Sequence, residues 1–410
     1  MTPARPPSTI HPMYILTRYV VWEVFKFFLA ALAALTMMVT IGMGVKEGMQ
    51  LGLPPAVLMR IMPFMLPEML GITIPAAMLY SVSSVFGRMT GANEIVALKS
   101  LGINPMAAVW PVLVLAAFLS FGTVCMYEIA ATWCRPTRSQ VVCESLEEIA
   151  YSMLQKKRSF DCDQFSITVK GVDGRRLNRP TISIKGQPGR PRITLTAAEA
   201  ELHTDRQAKQ LRIVCRHGEI DVEGPHPLWM LFSDEQEYTV PIGEVVVPRY
   251  HRDWVSLGSI PHLIKELTAK QDAAEAELRQ LESFSEAKAA LGSSSTEKDD
   301  ADIKAAADKI ADYRSLILRL KTEPHRRWSN GFTCLCFALI GIPVAMLWKH
   351  ADALTNFFVC FLPILAIYYP LLMFGEDLST SGKLPPISFW LGNVVISIPA
   401  VILLRRIVRH

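Results

Sequence analysis

Gly375-Glu-Asp-Leu-Ser-Thr-Ser-Gly382-Lys383 comes nearest to a phosphate-binding loop in this sequence, and it fails on spacing. Six residues separate the glycines, where a phosphate loop has about four, and no Ser or Thr follows the lysine to hold a metal ion. His251-Arg252-Asp253 has the lettering of a kinase catalytic loop, but nothing else of a kinase accompanies it. No Gly-x-Ser-x-Gly elbow occurs, and the scattered His and Asp residues of the middle third read as turn or surface residues. The chain has eight cysteines but no Cys-x-x-Cys pair, and Cys334-Leu-Cys336 falls in an apolar block, so a zinc site is not expected. Cys134, Cys143, Cys162 and Cys215 lie in the polar middle region, where disulfides are allowed but no pairing follows from spacing. With no catalytic constellation, the chain is expected to be no enzyme and to hold no cofactor. Any work it does must draw on another subunit.

The elements that carry these residues follow from composition. Of 410 residues, 50% are hydrophobic and 20% charged, and the mean hydropathy is +0.26. That balance excludes a simple soluble enzyme, a disordered chain and a fibrous repeat. The net charge of +4 gives no footprint for nucleic acid. Uncharged blocks long enough to span about 30 Å of hydrocarbon run over Phe27–Val45, Met69–Gly87, Met106–Tyr127, Gly331–Trp348, Ala353–Gly375 and Leu384–Leu404. The second helix is expected to begin nearer Leu58 and to carry Arg60 and Glu68. The first block is longer than a signal-peptide core and reads as a span.

Lys and Arg in the short loops orient the spans. Arg5, Arg18, Lys26, Arg88, Lys99, Lys349, Arg405, Arg406 and Arg409 fall on one side, against Lys46 and Lys383 on the other. Both termini are therefore expected inside, with residues 129–327 facing outward.

The outward region divides in two. Phe165–Val169, Thr181–Ile184, Ile193–Thr196, Leu211–Val214 and Tyr238–Val240 are β-branched or alternating. They are separated by Asp173-Gly174, Gly186, Pro188-Gly189, Asp205, Gly218 and Gly224-Pro225, which makes a sandwich, jelly roll or barrel. Its apolar face reads equally as an open strip for an acyl chain or as a closed core. Residues 260–291 and 301–320 then carry Leu, Ile and Ala at helical spacing, separated by Gly292-Ser-Ser-Ser-Thr296, and form a coiled-coil-like helical hairpin. Its charged face is either simply solvated or a docking surface.

The expected fold is an α-helical membrane protein with six transmembrane helices, an extracytoplasmic all-β domain and an inserted helical hairpin. Its parts are 1–128 (spans one to three, with an inner loop at 88–105), 129–258 (β domain), 259–323 (hairpin) and 324–410 (spans four to six).

The inner loop reads Gly87-Arg88-Met89-Thr90-Gly91-Ala92-Asn93-Glu94-Ile95-Val96-Ala97-Leu98-Lys99-Ser100-Leu101-Gly102. Glu94 to Leu101 is a short helix, with Thr90 or Asn93 as its cap and Gly102 as its stop. Glu94 complements the positive helix end, and Ile95, Leu98 and Leu101 are expected to share an apolar face. Such a helix is either a lever for a cytoplasmic partner or a plain surface connector.

At this loop the sequence resembles the lipopolysaccharide-export permeases of the LptF/LptG (YjgP/YjgQ) type. The resemblance rests on Leu66-Pro67-Glu68, Pro75, Gly87-Arg88-Met89, Asn93 to Leu98 and Gly102-Ile103, and on the opening Leu16 to Lys26. It continues in Ile193 to Leu202, His217-Gly218, Glu323-Pro-His325-Arg326-Arg327 and Phe337 to Val344, and covers about residues 14–258 and 323–405. It implies a transporter permease in the bacterial inner membrane that extracts lipopolysaccharide or a related glycolipid. The implied partners are a second homologous permease, a cytoplasmic ABC ATPase dimer that binds the ATP, and a periplasmic bridge β-jellyroll protein. It also implies that the outward β domain is a periplasmic jellyroll. The segment holding Arg88, Asn93, Glu94, Ile95, Leu98 and Lys99 would be the ATPase-coupling helix, and spans one and five would be lateral gates.

Lys46 and Arg60, near the outer ends of spans one and two, are candidates for lipid phosphates, with pairing to Glu68 the alternative for Arg60. Lys26 reads as an interfacial anchor. The hairpin 259–323 departs from the family pattern. A non-transporting membrane scaffold coupled to the same ATPase is the rival reading.

Overall fold

A computed structural model describes residues 10–161, 165–184, 192–205, 210–223, 228–241, 254–290, 297–348 and 353–409. Among the described residues the protein is mostly helical, with one antiparallel sheet. Among the described residues six helical stretches are long and apolar enough to cross a membrane: Ile15–Gln50, Pro55–Gly91, Met106–Val142, Ala301–Leu347, Leu354–Thr380 and Pro386–Ile407. Each contains one of the uncharged blocks, apart from a residue or a few at its ends.

In chain order the first helices are α1 (Ile10–Leu51), α2 (Pro55–Gly91), α3 (Glu94–Ser100) and α4 (Met106–Ile129). α4 runs through a wide turn at Ala130–Cys134 into α5 (Arg135–Glu144), and α6 (Leu146–Lys157) follows. After the sheet come α7 (Ile260–Ala290), α8 (Glu297–Leu347), α9 (Ala353–Pro363), α10 (Tyr369–Thr380) and α11 (Leu391–Arg409). A wide turn at Ile364–Tyr368 joins α9 to α10 between Pro363 and Pro370. Pro363 lacks an amide donor and so helps to loosen the helix there.

The chain folds as two compact units: Met1–Met37, Pro67–Ala131 and Val255–His410 in one, Met38–Leu66 and Thr132–Trp254 in the other. The core of the first is the latter half of α2. Met78, Val82, Val85, Phe86 and Met89 are buried in one cluster with Val24 and Phe28 of α1, Val109 and Val112 of α4, and Ala338 and Ile342 of α8. In lipid there is little hydrophobic drive between helices, so close backbone approach must supply the packing. Gly331 of α8 does this: a Cβ there would collide with Val124 and lie 3.1 Å from the Ser120 carbonyl of α4. α7 packs along α8, with Leu267 and Ala274 of α7 and Ala306, Ile317 and Leu320 of α8 buried. α8 is unbroken from Glu297 to Leu347, so the charged helical segment and the fourth span are one helix.

The second unit holds the sheet: β1 (Ser159–Asp161), β2 (Phe165–Thr168), β3 (Gly171–Asp173), β4 (Arg176–Asn178), β5 (Thr181–Ile184), β6 (Arg192–Asp205), β7 (Gln210–Glu223), β8 (Leu228–Phe232) and β9 (Gln236–Pro241). The long β6–β7 pair is its spine. β5 and β4 pair with successive halves of β6, and β9 and β8 with successive halves of β7. The buried positions change parity along the spine, from Leu195 and Ala197 to Ala200 and Leu202. The opposed pair Ala198 and His217 lies at that step, and His217 has a left-handed φ of 50°. Gly218, expected in a turn, therefore lies inside β7 beside this kink.

The apolar face of the sheet is covered. Leu146, Ile149, Ala150 and Leu154 of α6, with Val57, Ile61 and Met65 of α2, share a buried cluster with Ile167, Leu177, Ile182, Leu195, Leu202 and Ile213. Tyr151 ties α6 to the strands: its hydroxyl donates to the Arg175 carbonyl at 2.6 Å and accepts from the Leu202 amide at 3.0 Å. Cys134 is buried, and Cys215 is a buried free thiol. Cys162, Gly186, Pro188-Gly189, Gly224-Pro225, His251-Arg252-Asp253, Gly292–Thr296 and Lys349 lie outside the described residues, as does the side chain of Cys143.

Candidate functional site

The loop between α2 and α4 is built as a small fixed helix. At its entry Arg88 pairs with Glu23 of α1 at 2.9 Å, and the same carboxylate holds Lys26 at 2.8 Å. Lys26 is thus part of an ion triad that clamps α1 to α2. Thr90 does not cap α3; its hydroxyl donates back to the Phe86 carbonyl at 2.7 Å within α2. Asn93 makes no side-chain cap either, and instead turns the chain through a left-handed φ of 59°. Asn tolerates that conformation better than most residues.

The exit is as the sequence implies. Gly102 has φ +73°, its amide donates to the Lys99 carbonyl at 3.0 Å, and the Ile103 amide donates to the Leu98 carbonyl at 3.0 Å. This is a Schellman stop, in which the left-handed residue costs least when it is glycine.

The expected apolar face is split. Ile95 is buried in the cluster with Val20, Val24, Met89 and Leu404, Leu98 is half-buried, and Leu101 is 74% exposed. Three-residue steps drift by about 60° each at 3.6 residues per turn, so Leu101 points roughly 120° away from Ile95. Lys99 donates from Nζ to the Ile407 carbonyl at 3.0 Å, in the last turn of α11, where a cation meets the negative helix end. One buried residue and one side-chain tether thus hold α3, while Val96 and Leu101 remain exposed beside the half-buried Glu94. The arrangement offers a partner a short, stiff ridge with an apolar crest.

Lys46 and Arg60 lie in the other unit, on α1 and α2. Both side chains are exposed, and neither pairs with an acid among the described residues. Glu47, next to Lys46, is engaged by Arg138 at 3.4 Å.

A second charged group in the first unit escaped the sequence reading. Glu323 of α8 is fully buried and takes two hydrogen bonds from Arg326, at 2.8 and 2.9 Å, and one from Arg327 at 2.8 Å. Arg327, 3% exposed, also reaches Glu128 of α4 at 2.7 Å and the Val255 carbonyl at 2.9 Å. Glu128 closes the ring by accepting from the Leu257 amide at 3.0 Å. Two carboxylates and two guanidiniums cancel, so a buried charge cluster becomes tolerable.

A family model described as "Lipopolysaccharide export system permease LptF/LptG" matches residues 18–406. No curated protein sequence matches the chain.

Proposed function

The chain belongs to the LptF/LptG family of lipopolysaccharide export permeases, multi-pass proteins of the inner membrane, and from that premise we propose that it couples to a cytoplasmic ATPase through α3. Two such permease chains would pair, and a dimeric ABC ATPase would bind and hydrolyse the ATP. Both termini are cytoplasmic in this reading, and the sheet faces the periplasm as a jellyroll-like domain that hands glycolipid to a bridge β-jellyroll protein.

One observation carries the coupling role. α3 is pinned by Ile95, Lys99 and the Gly102 stop, yet leaves Val96 and Leu101 exposed. A rigid helix with an uncovered apolar crest transmits displacement from a partner groove to α2, α4 and α11. Arg88 supports it through the Glu23 clamp, and Glu94 offers a carboxylate at the rim. Lys46 and Arg60, exposed and without acidic partners among the described residues, suit the phosphates of an anionic glycolipid head. Spans one and five have the smallest buried shares of the six, 28% and 17%, as lateral gates facing lipid or a second permease would.

Co-expression with the ATPase tests the reading. Glu94→Lys and Leu101→Asp should each lower ATPase co-purification about tenfold and abolish permease-dependent ATP turnover, as loss of a central contact does. Unchanged recovery together with unchanged turnover would refute the assignment. The covered apolar face of the sheet favours one variant of the rival reading, in which the sheet is a docking platform and not a conduit. Normal lipid distribution after depletion of the protein would select that variant.

A further inference from the structure

Spans four and six leave a groove of about 470 Å³ between α8 and α11. Phe332 and Cys336 of α8 line it, with Asn393, Ser397, Ile398 and Ile402 of α11. The polar donors in its wall are turned onto the protein. Asn393 donates from Nδ2 to the Ser329 carbonyl at 2.9 Å and to Ser329 Oγ at 3.1 Å, and Ser397 donates from Oγ to Cys336 Sγ at 3.4 Å. The surface left to the membrane is apolar, with Val394, Ile398 and Ile402 exposed.

The dimensions of the groove limit what can fill it. From Asn393 to Ile402 it runs about 13 Å along α11, close to the roughly 15 Å of hydrocarbon in one leaflet. Its mean cross-section is then about 35 Å², whereas a helix about 10–12 Å across fills roughly 80–110 Å². Alkyl chains enter such a groove and a helix does not.

An aromatic cluster stands at the end of the groove nearer the charged half of α8. The Phe332 ring centre lies 5.7 Å from that of Trp390, 6.1 Å from Trp328 and 5.9 Å from Phe121. Trp328 and Phe121 are exposed, and such rings gather at the headgroup level of a bilayer. Steps of three and four residues continue the same face of α8 from Phe332 through Trp328 and His325 to Lys321. Lys321 is exposed and His325 half-buried, and among the described residues neither forms an ion pair. The neighbouring Arg326 and Arg327 are instead taken up by Glu323 and Glu128.

We propose that this face holds one anionic phospholipid of the surrounding bilayer, of the phosphatidylglycerol type, as a fixed companion of the fold. One acyl chain fills the groove, the glycerol backbone lies against Trp328 and Trp390, and the phosphate meets Lys321 and His325. Chain, ring and charge follow one another along α8 in the order that a phospholipid presents them. Lipid gains little hydrophobic drive from leaving its neighbours, so close packing and the charge at the head decide which lipid stays. The site lies on spans four and six, away from spans one and five, Lys46, Arg60 and α3, and needs no ATPase.

The test uses the full-length chain in nanodiscs of phosphatidylcholine containing a minor fraction of phosphatidylglycerol with a mid-chain diazirine. Irradiation should label the segment Ser397–Ile402, and phosphatidylcholine carrying the same diazirine should label it several-fold less. Lys321→Gln should cut that preference about fivefold, the share of one basic residue at an anionic lipid surface. Ile398→Trp, at a lipid-exposed position, should fill the groove and abolish the labelling without lowering the melting point.

Equal labelling by the two lipids, or a preference unchanged in Lys321→Gln, would overturn the anionic head site. Undiminished labelling in Ile398→Trp would overturn the groove. Competition by lipopolysaccharide as strong as by unlabelled phosphatidylglycerol would make the groove a cargo site and overturn the resident lipid. A photocrosslinker at Val394 that captured a single protein in intact cells would make it an interface and overturn it as well. Failure of the Glu94 experiment would leave these results unaffected, since no ATPase is present.

Discussion

Replacing Arg327 with Met should loosen the chain where it passes from the sheet into α7. Arg327 donates to Glu323, Glu128 and the Val255 carbonyl while only 3% exposed. Removing one partner of a buried pair costs about 3–5 kcal/mol, mostly because the remaining charge is left uncompensated. Here the lower end applies. Glu323 keeps both hydrogen bonds from Arg326, and the Glu128 side chain is 29% exposed and keeps the Leu257 amide.

A loss of about 3 kcal/mol raises the population of open states roughly a hundredfold, at 1.4 kcal/mol per tenfold. Hydrogen exchange of the Leu257 amide reads this directly, because the amide is held by Glu128. Arg327→Lys should fall between, since it keeps the charge but loses the fork that reaches three acceptors. Exchange in Arg327→Met within about threefold of the parent would refute the idea that this ring carries local stability.

The second unit offers two checks. Tyr151→Phe keeps the packing but strips the Leu202 amide and the Arg175 carbonyl of their partner, so it should cost about 1–3 kcal/mol, seen as a lower melting point and faster exchange at Leu202. Burial pushes the Cys215 thiol up to about 12, so at pH 8 roughly one molecule in ten thousand carries the thiolate. Iodoacetamide should leave Cys215 unmodified in the native protein and label it after unfolding. The stability linked to this group is flat below pH 9 and declines between about 9 and 12, where the unfolded chain loses the proton first. Rapid native labelling at pH 8 would contradict the burial.

The six spans were legible because an uncharged run of that length has almost no other use. Strands β2, β5, β6, β7 and β9 were legible because β-branched residues cluster between turn formers. What escaped notice had mixed or long-range signals. α5 and α6 lie in a stretch grouped with the sheet, although Leu146, Ile149, Ala150 and Leu154 have helical spacing that could have revealed α6. Gly218 looked like a turn because a glycine needed for close approach and a glycine needed for a reversal have the same letter. Leu101 was grouped on one apolar face with Ile95 because a three-residue spacing looks helical over one step and is roughly 120° off the face after two. In the candidate site, Glu94, Arg88 and Lys99 were found by type and position, but the partners that hold them, Glu23 and the Ile407 carbonyl, are 65 residues from Arg88 and 308 from Lys99. No local pattern reports such a pair.

The position of the buried charge ring has a physical reason. α8 is a single helix that is charged and paired with α7 in its first half and apolar in its second half. Apolar packing fixes the second half poorly, because lipid competes with neighbouring helices on equal terms. Side-chain packing fixes the first half against α7 but not against α4. Only a directional contact can set where α8 sits along α4, since sliding by one residue is a shift of about 1.5 Å and would misalign every hydrogen bond in the ring. Gly331, one turn further on, allows the close approach to Val124 and Ser120 that the same register requires. The ring and the glycine therefore act together, the first choosing the register and the second permitting it. That division explains why Glu323 and Arg327 are kept buried, with Arg326 and Glu128 half-buried against them, when apolar residues would pack there with less desolvation.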